Sequence, residues 1–200
     1  MPLEIRRAAF ALAAMGLMVS QPALAGVHLS ESTRYYIVNG QTGREVVREM
    51  ARRGPRSGFL ARDIAQTWYS PRNDGELVLE NGICRVRNPG VRLHIRYTYP
   101  RLSDRAAPQL QHRWQAFIEG VRKHEAQHAA LAIQMADKID DLLSRFAMRT
   151  DDRHCGKAKR EMARRMDAIW KEYDLRQNAF DRVEHRRGGE VDKLVKALTR

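Results

Sequence analysis

From Gln109 to Ala147 the chain contains no proline and a single glycine, Gly120. Within it, Trp114, Phe117, Val121, Leu131, Met135, Ile139, Leu142 and Phe146 recur at intervals that keep one helix face apolar. The one gap, between Val121 and Leu131, is filled in phase by His124 and His128. A helix of about 40 residues would be roughly 60 Å long, so a bend or break is expected near Gly120. Thr150 to Gly156 is polar, carries Cys155, and reads as a turn. A second helix follows, with Met162, Met166, Ile169, Tyr173, Phe180 and Val183 on one face and Gly188-Gly189 at its end. Val191, Leu194, Val195 and Leu198 predict one more short helix.

The segment before Pro108 has a different texture. Tyr35-Tyr36-Ile37-Val38 reads as a strand and Asn39-Gly40 as a turn. Thr42-x-x-Glu45 is a capping box, with Val46, Val47 and Met50 behind it at helical spacing and Gly54-Pro55 as the stop. Ile64 to Tyr69 is β-branched and aromatic. Leu77-Val78-Leu79 and Ile83-Cys84-Arg85-Val86 flank Asn81-Gly82, a strong hairpin signal. Asn88-Pro89-Gly90 reads as a further turn. Val91, Leu93, Ile95, Tyr97 and Tyr99 then alternate with polar residues, as in a half-buried strand. The expected fold class is α+β: a small antiparallel sheet with one helix over residues 26–105, and a hairpin of long helices over 106–200.

Residues 1–25 are expected to stand outside that single domain. Arg6 and Arg7 precede the apolar run Ala8 to Val19, and Ala23-Leu24-Ala25 has the small-x-small pattern of a signal-peptidase site. This is the order of parts in a secretory signal peptide, cleaved after Ala25. No apolar run reaches the roughly 18 residues that a membrane-spanning helix needs. An exported chain meets an oxidising compartment, so its only two cysteines, Cys84 and Cys155, are expected to pair. With 43% hydrophobic and 30% charged residues, the chain can bury a core. Its formal net charge of +12 favours anionic surfaces. Export argues against nucleic acid as the partner.

His124-Glu125-x-x-His128 carries the chemistry. Residues four apart share a helix face, so the two imidazoles can meet one zinc ion. Glu125 lies about 100° round from His124, placed to take a proton from a water that zinc has acidified. Two cysteines exclude a four-cysteine zinc site. If the long helices form an antiparallel hairpin turning near Arg153, residues 174 to 185 lie over the motif. His185 is the only imidazole in that window and is the expected third ligand. Asp174 and Asp181 share its face and are the alternatives, as ligands or as carboxylates orienting a ligating histidine.

The ordered set of motifs resembles a bacterial family of predicted secreted zinc-dependent proteases, catalogued as a domain of unknown function. The resemblance spans the mature chain. Its pieces are Tyr36-x-Val38-x-Gly40, Gly54-Pro55, Thr67-x-Tyr69, Cys84-x-Val86, Tyr97-Thr98-Tyr99-Pro100, Trp114-x-x-Phe117, His124-Glu125-x-x-His128, Cys155 and Tyr173-Asp174. It implies a zinc-peptidase fold with His124 and His128 as ligands and Glu125 as base, and it supports the Cys84–Cys155 bridge. The family's C-terminal signature, Tyr-Asp-x-x-Thr-x-His-Gly, is altered: Gln177 and Ala179 replace its threonine and histidine. Phe180-Asp181-x-x-Glu184-His185 looks like a displaced version of it.

Two functions fit. The first is a periplasmic or secreted zinc metallopeptidase acting on peptide or protein substrates, with an edge strand to hold the substrate. Tyr173, His154 or an arginine would then stabilise the oxyanion. The alternative is a non-catalytic, basic envelope protein that binds an anionic polymer or lipid and keeps a structural metal. Arg52-Arg53, Arg164-Arg165 and Arg186-Arg187 are compatible with it. Glu125 separates the two, because a structural site needs no general base.

Overall fold

The computed structural model describes residues 26–57 and 61–200. The leader expected over residues 1–25 lies outside the described residues. The elements run β1 (Val27–Val38), α1 (Gly43–Arg53), β2 (Arg56–Ser57), β3 (Ala61–Arg62), β4 (Gln66–Glu80), β5 (Ile83–Leu102), α2 (Pro108–Arg145), β6 (Ala147–Arg149), α3 (Gly156–His185) and α4 (Glu190–Thr199). No described helix is long and apolar enough to cross a membrane.

The fold class is α+β, with a four-stranded sheet and a helix-rich C-terminal half. The sheet is mixed, where the sequence suggested an antiparallel one. β4 and β5 form an antiparallel hairpin about Asn81-Gly82, and β6 pairs antiparallel with Ile83–Arg85. β1 instead runs parallel to β5, from Val27 opposite Val91 to Val38 opposite Leu102. The chain reverses once between β1 and β4, and again at the hairpin, so β1 and β5 end up pointing the same way.

Asn88-Pro89-Gly90 is likewise a bulge and not a turn. Asp74 pairs with Gly90 and Glu76 with Arg87, so β5 spends one residue more than β4 between these pairs. Asn88 takes the strain at φ 50°, opposite Gly75 at φ 98°. The extra residue inverts the alternation of β5. Cys84 is buried on one side of it, and Val91, Leu93 and Ile95 on the other. One face of a twenty-residue strand thus stays apolar along its length. Pro71 sits inside β4, where a missing N–H costs no pairing because β4 is an edge strand of this sheet.

Gly120 does not interrupt α2, which runs unbroken from Pro108 to Arg145. A Cβ there would come within 2.4 Å of Leu194, so the glycine makes room for α4. Thr42 and Glu45 do form the capping box of α1, and Gly54 caps its end. One core joins α1, β1, β5, α2 and α4 around Val46, Met50, Phe117, Val121 and Leu198. A second joins β5, α2 and α3 around Leu93, Ile95, Ala132, Ile139 and Tyr173. A third, smaller one surrounds the bonded pair Cys84–Cys155, which fastens the start of β5 to the start of α3.

Candidate metal centre and active site

The motif lies on the middle turns of α2, facing the C-terminal third of α3. Their antiparallel packing sets His128 against Gln177 and Asp181, and His124 against Phe180, Asp181 and Glu184. The two imidazoles converge edge to face, their Nε2 atoms 3.1 Å apart. Asp181 Oδ1 lies 3.0 Å from His128 Nε2 and 3.6 Å from His124 Nε2. Corners of a tetrahedron with metal–ligand bonds of about 2.1 Å stand roughly 3.4 Å apart. These three atoms therefore form a triangle of the size that one small divalent ion occupies. Among the described residues, His124, His128 and Asp181 are the group able to hold a metal.

The other nitrogens of the two rings are placed differently. Gln177 is tied to His128 twice, its Oε1 at Nδ1 and its Nε2 donating to the His128 carbonyl at 3.2 Å. The Oε1 contact holds the proton on Nδ1 and leaves Nε2 free for a metal. His124 Nδ1 is buried without a hydrogen bond, and the nearest carboxylate, Glu184 Oε2, is 3.6 Å away. Helix α3 thus supplies a ligand atom in Asp181, a hydrogen-bond partner for His128 in Gln177 one turn before it, and a carboxylate near His124 in Glu184 one turn after it.

Glu125 is only 5% exposed. Its carboxylate meets the Thr67 hydroxyl at 2.7 Å, and the same hydroxyl lies 3.0 Å from the Glu125 carbonyl. Burial raises the proton affinity of Glu125, and Thr67 and the two histidines only partly offset it. Asp181 behaves oppositely. Burial would raise its pKa, but bonds to His124 and His128 outweigh it and hold the carboxyl well below the usual range. For His128, burial lowers the pKa, and Asp181 and Gln177 more than restore it, so it ends above its ordinary value.

These groups open onto a cleft of about 200 Å³. Asp63 to Thr67, entering β4, form one wall, and Val121 and Val191 make apolar patches beside the metal-ligand atoms. Asp181 and His185 line the cleft from α3.

Of the sequence-based candidates, His124, Glu125, His128 and Asp181 come together. His185 lines the same cleft but is not in the convergent group. Its Nε2 is 3.9 Å from Asp181 Oδ1, its ring centroid is 5.2 Å from that of His124, and its side chain is 55% exposed. Asp174 is exposed on α3 and does not line the cleft. Tyr173 is buried, with its hydroxyl accepting from Gln177 and its ring against Tyr69, and His154 lies in the turn before α3. Neither lines the cleft.

The sequence patterns do not assign Gln177, Glu184 or Thr67 a role at the site. A signal for the first existed: Tyr173, Gln177, Asp181 and His185 follow one another at intervals of four, one ridge of α3.

A family profile described as "Bacterial protein of unknown function (DUF922)" matches residues 33–189, which include Thr67, His124, Glu125, His128, Gln177, Asp181, Glu184 and His185. Searches of curated proteins and of solved structures return no match.

Proposed function

The chain belongs to this bacterial family, and from that premise we propose that it is an exported zinc metallopeptidase. The observation that carries the reading is the pairing of a metal-sized ligand triangle with a buried carboxylate of raised proton affinity in one cleft. Two histidines and a carboxylate suit zinc, and a metal held by His124, His128 and Asp181 would have a ligand position to spare for water or substrate. Zinc bound there would acidify a water and polarise a substrate carbonyl.

The chain's own groups do the rest. Glu125 accepts the proton of the attacking water and returns it to the leaving amine, while Thr67 fixes its carboxylate. Gln177 keeps His128 in the ligating tautomer. With Asp181 as third ligand, His185 lines the cleft beside it and is free to donate to the carbonyl oxygen as negative charge develops. The edge strand β4 begins at the cleft with Gln66 and Thr67, so a substrate can lie along it in extended form. The signal-like residues 1–25 and the bonded cysteine pair support export.

The deciding experiment is metal analysis of the purified protein with Glu125→Gln beside it. We expect about one zinc per chain in both, and a loss of about 10²–10⁴-fold in hydrolysis of unfolded protein substrates in the variant. Equal turnover in the two would remove Glu125 from the base role. A zinc-loaded parent protein inert toward a broad peptide library would favour a structural metal.

A further inference from the structure

The outward face of the sheet carries an array of cations unrelated to the metal cleft. On β5, the buried Val91, Leu93 and Ile95 alternate with Arg92, His94 and Arg96, which face away from the helices. The register sets Arg72 beside Arg92, Trp68 beside Arg96, and Arg34 beside Thr98. The four arginines therefore spread over three adjacent strands. Strands stand about 4.8 Å apart and alternate residues about 6.8 Å apart, so neighbouring charges lie within or near one Debye length, about 8 Å in physiological salt.

Two pairs of arginines elsewhere in the chain are each held by a shared carboxylate. Glu49 holds both Arg52 and Arg53, and Glu161 holds both Arg164 and Arg165. On the sheet face only Arg92 has an acidic partner, Asp74 at 2.5 Å. Among the described residues, Arg34, Arg72 and Arg96 make no ion pair. Arg96 rests instead on the Trp68 ring, 4.4 Å from its centroid, which fixes the guanidinium plane and leaves its charge unspent. The indole is 40% exposed. His94 is held between the hydroxyls of Ser30 and Ser32.

We propose that this face binds an acidic polysaccharide. A flat array of unneutralised cations matches a polymer with repeated negative charge better than a single anion, which wants a pocket. The exposed indole offers a plate for a sugar ring, and the serine hydroxyls offer polar contacts. From residues 28–34, 66–74 and 92–98 the outward positions present no aliphatic side chain, and the one large apolar group among them, Trp68, lies under the Arg96 guanidinium, so the face favours a hydrated polymer over a bilayer. The inference does not depend on zinc or on hydrolysis.

The test is binding of the full chain to dextran sulfate, with uncharged dextran and phosphatidylglycerol vesicles as the other probes. Arg72→Gln/Arg92→Gln/Arg96→Gln should weaken dextran sulfate binding by more than about tenfold. Arg164→Gln/Arg165→Gln/Arg176→Gln removes the same net charge from α3 and should change it less than about threefold. Trp68→Ala should weaken binding while leaving its salt dependence unchanged. Equal losses in the two triple variants would reduce the effect to net charge and overturn the assignment. So would tighter, face-dependent binding to vesicles, which would make the partner a lipid surface. Thermal melts of each variant separate lost binding from lost fold.

Discussion

Residue spacing within α2 revealed two of the three convergent groups, because His124 and His128 are related by helix geometry alone. The third needed a count across a turn. That count reached the right stretch of α3 and favoured His185 over Asp181, which stand one helical turn apart; the rotation of α3 about its own axis, set by tertiary packing, decides between them. Gln177 shares the i, i+4 ridge of Tyr173, Asp181 and His185, but an amide on that ridge does not by itself indicate a partner for a ligating histidine. Asp181→Ala should therefore abolish zinc binding, whereas His185→Ala should keep the metal and lower kcat; isothermal titration and a kinetic assay distinguish them. Gln177→Ala should cost about 10–100-fold in zinc affinity, with partial recovery in Gln177→Glu. The site also predicts how the metal-free protein responds to pH. The stabilisation from Asp181 is present above its ordinary 3.8 and lost as pH falls through its depressed value. That from His128 is complete below its ordinary 6.5 and lost as pH rises through its raised value. Glu125, raised by burial, acts in the same direction as His128. Chelated protein should thus show a falling Tm above neutrality, and zinc-loaded protein should not, because zinc takes both imidazoles neutral. Parallel melts with and without chelator across that range check the opposed trends.

At the scale of elements, local signals carried the helices and the hairpin. The capping box of α1, the long apolar period of α2 and Asn81-Gly82 each depend on neighbours within a few residues. What sequence did not give was β1's partner or direction, since a strand's alternation looks the same whichever neighbour it pairs with. The separate signals at Ile64 to Tyr69 and Leu77 to Leu79 belong to one strand, β4, which runs through Pro71 and Gly75. Gly43 shows how closely the helices meet. A Cβ there would lie 1.9 Å from the Leu198 carbonyl oxygen of α4. Gly43→Ala must push α4 away from a fully buried contact, and we expect a loss of about 1–3 kcal/mol in urea denaturation. The disulfide acts over a longer range. Its partners are 71 residues apart in sequence, and removing it with Cys84→Ser/Cys155→Ser should cost about 4 kcal/mol on the chain-entropy account. Urea midpoints of the oxidised parent and the double variant measure it.

The molecule as a whole is held together by β5 and α2, which enter both large cores, with Tyr97 packed against each. The β-rich and helical halves are therefore not separable packing units. Calorimetry should record one unfolding transition; two would show that the halves melt apart. The bulge at Asn88 carries a consequence for how this gene can vary. It puts the two ends of β5 in opposite parity, so the length of the segment between them decides which residues meet the interior. Losing Asn88 would carry Cys84 round to the solvent side and bring Arg85 inward, stranding Cys155 without its mate. Such a deletion removes an uncharged surface residue, yet it should yield free thiols and covalent dimers on a non-reducing gel. Length changes here should be tolerated in pairs of residues and punished when odd, a reading-frame rule enforced by the pleat of a strand.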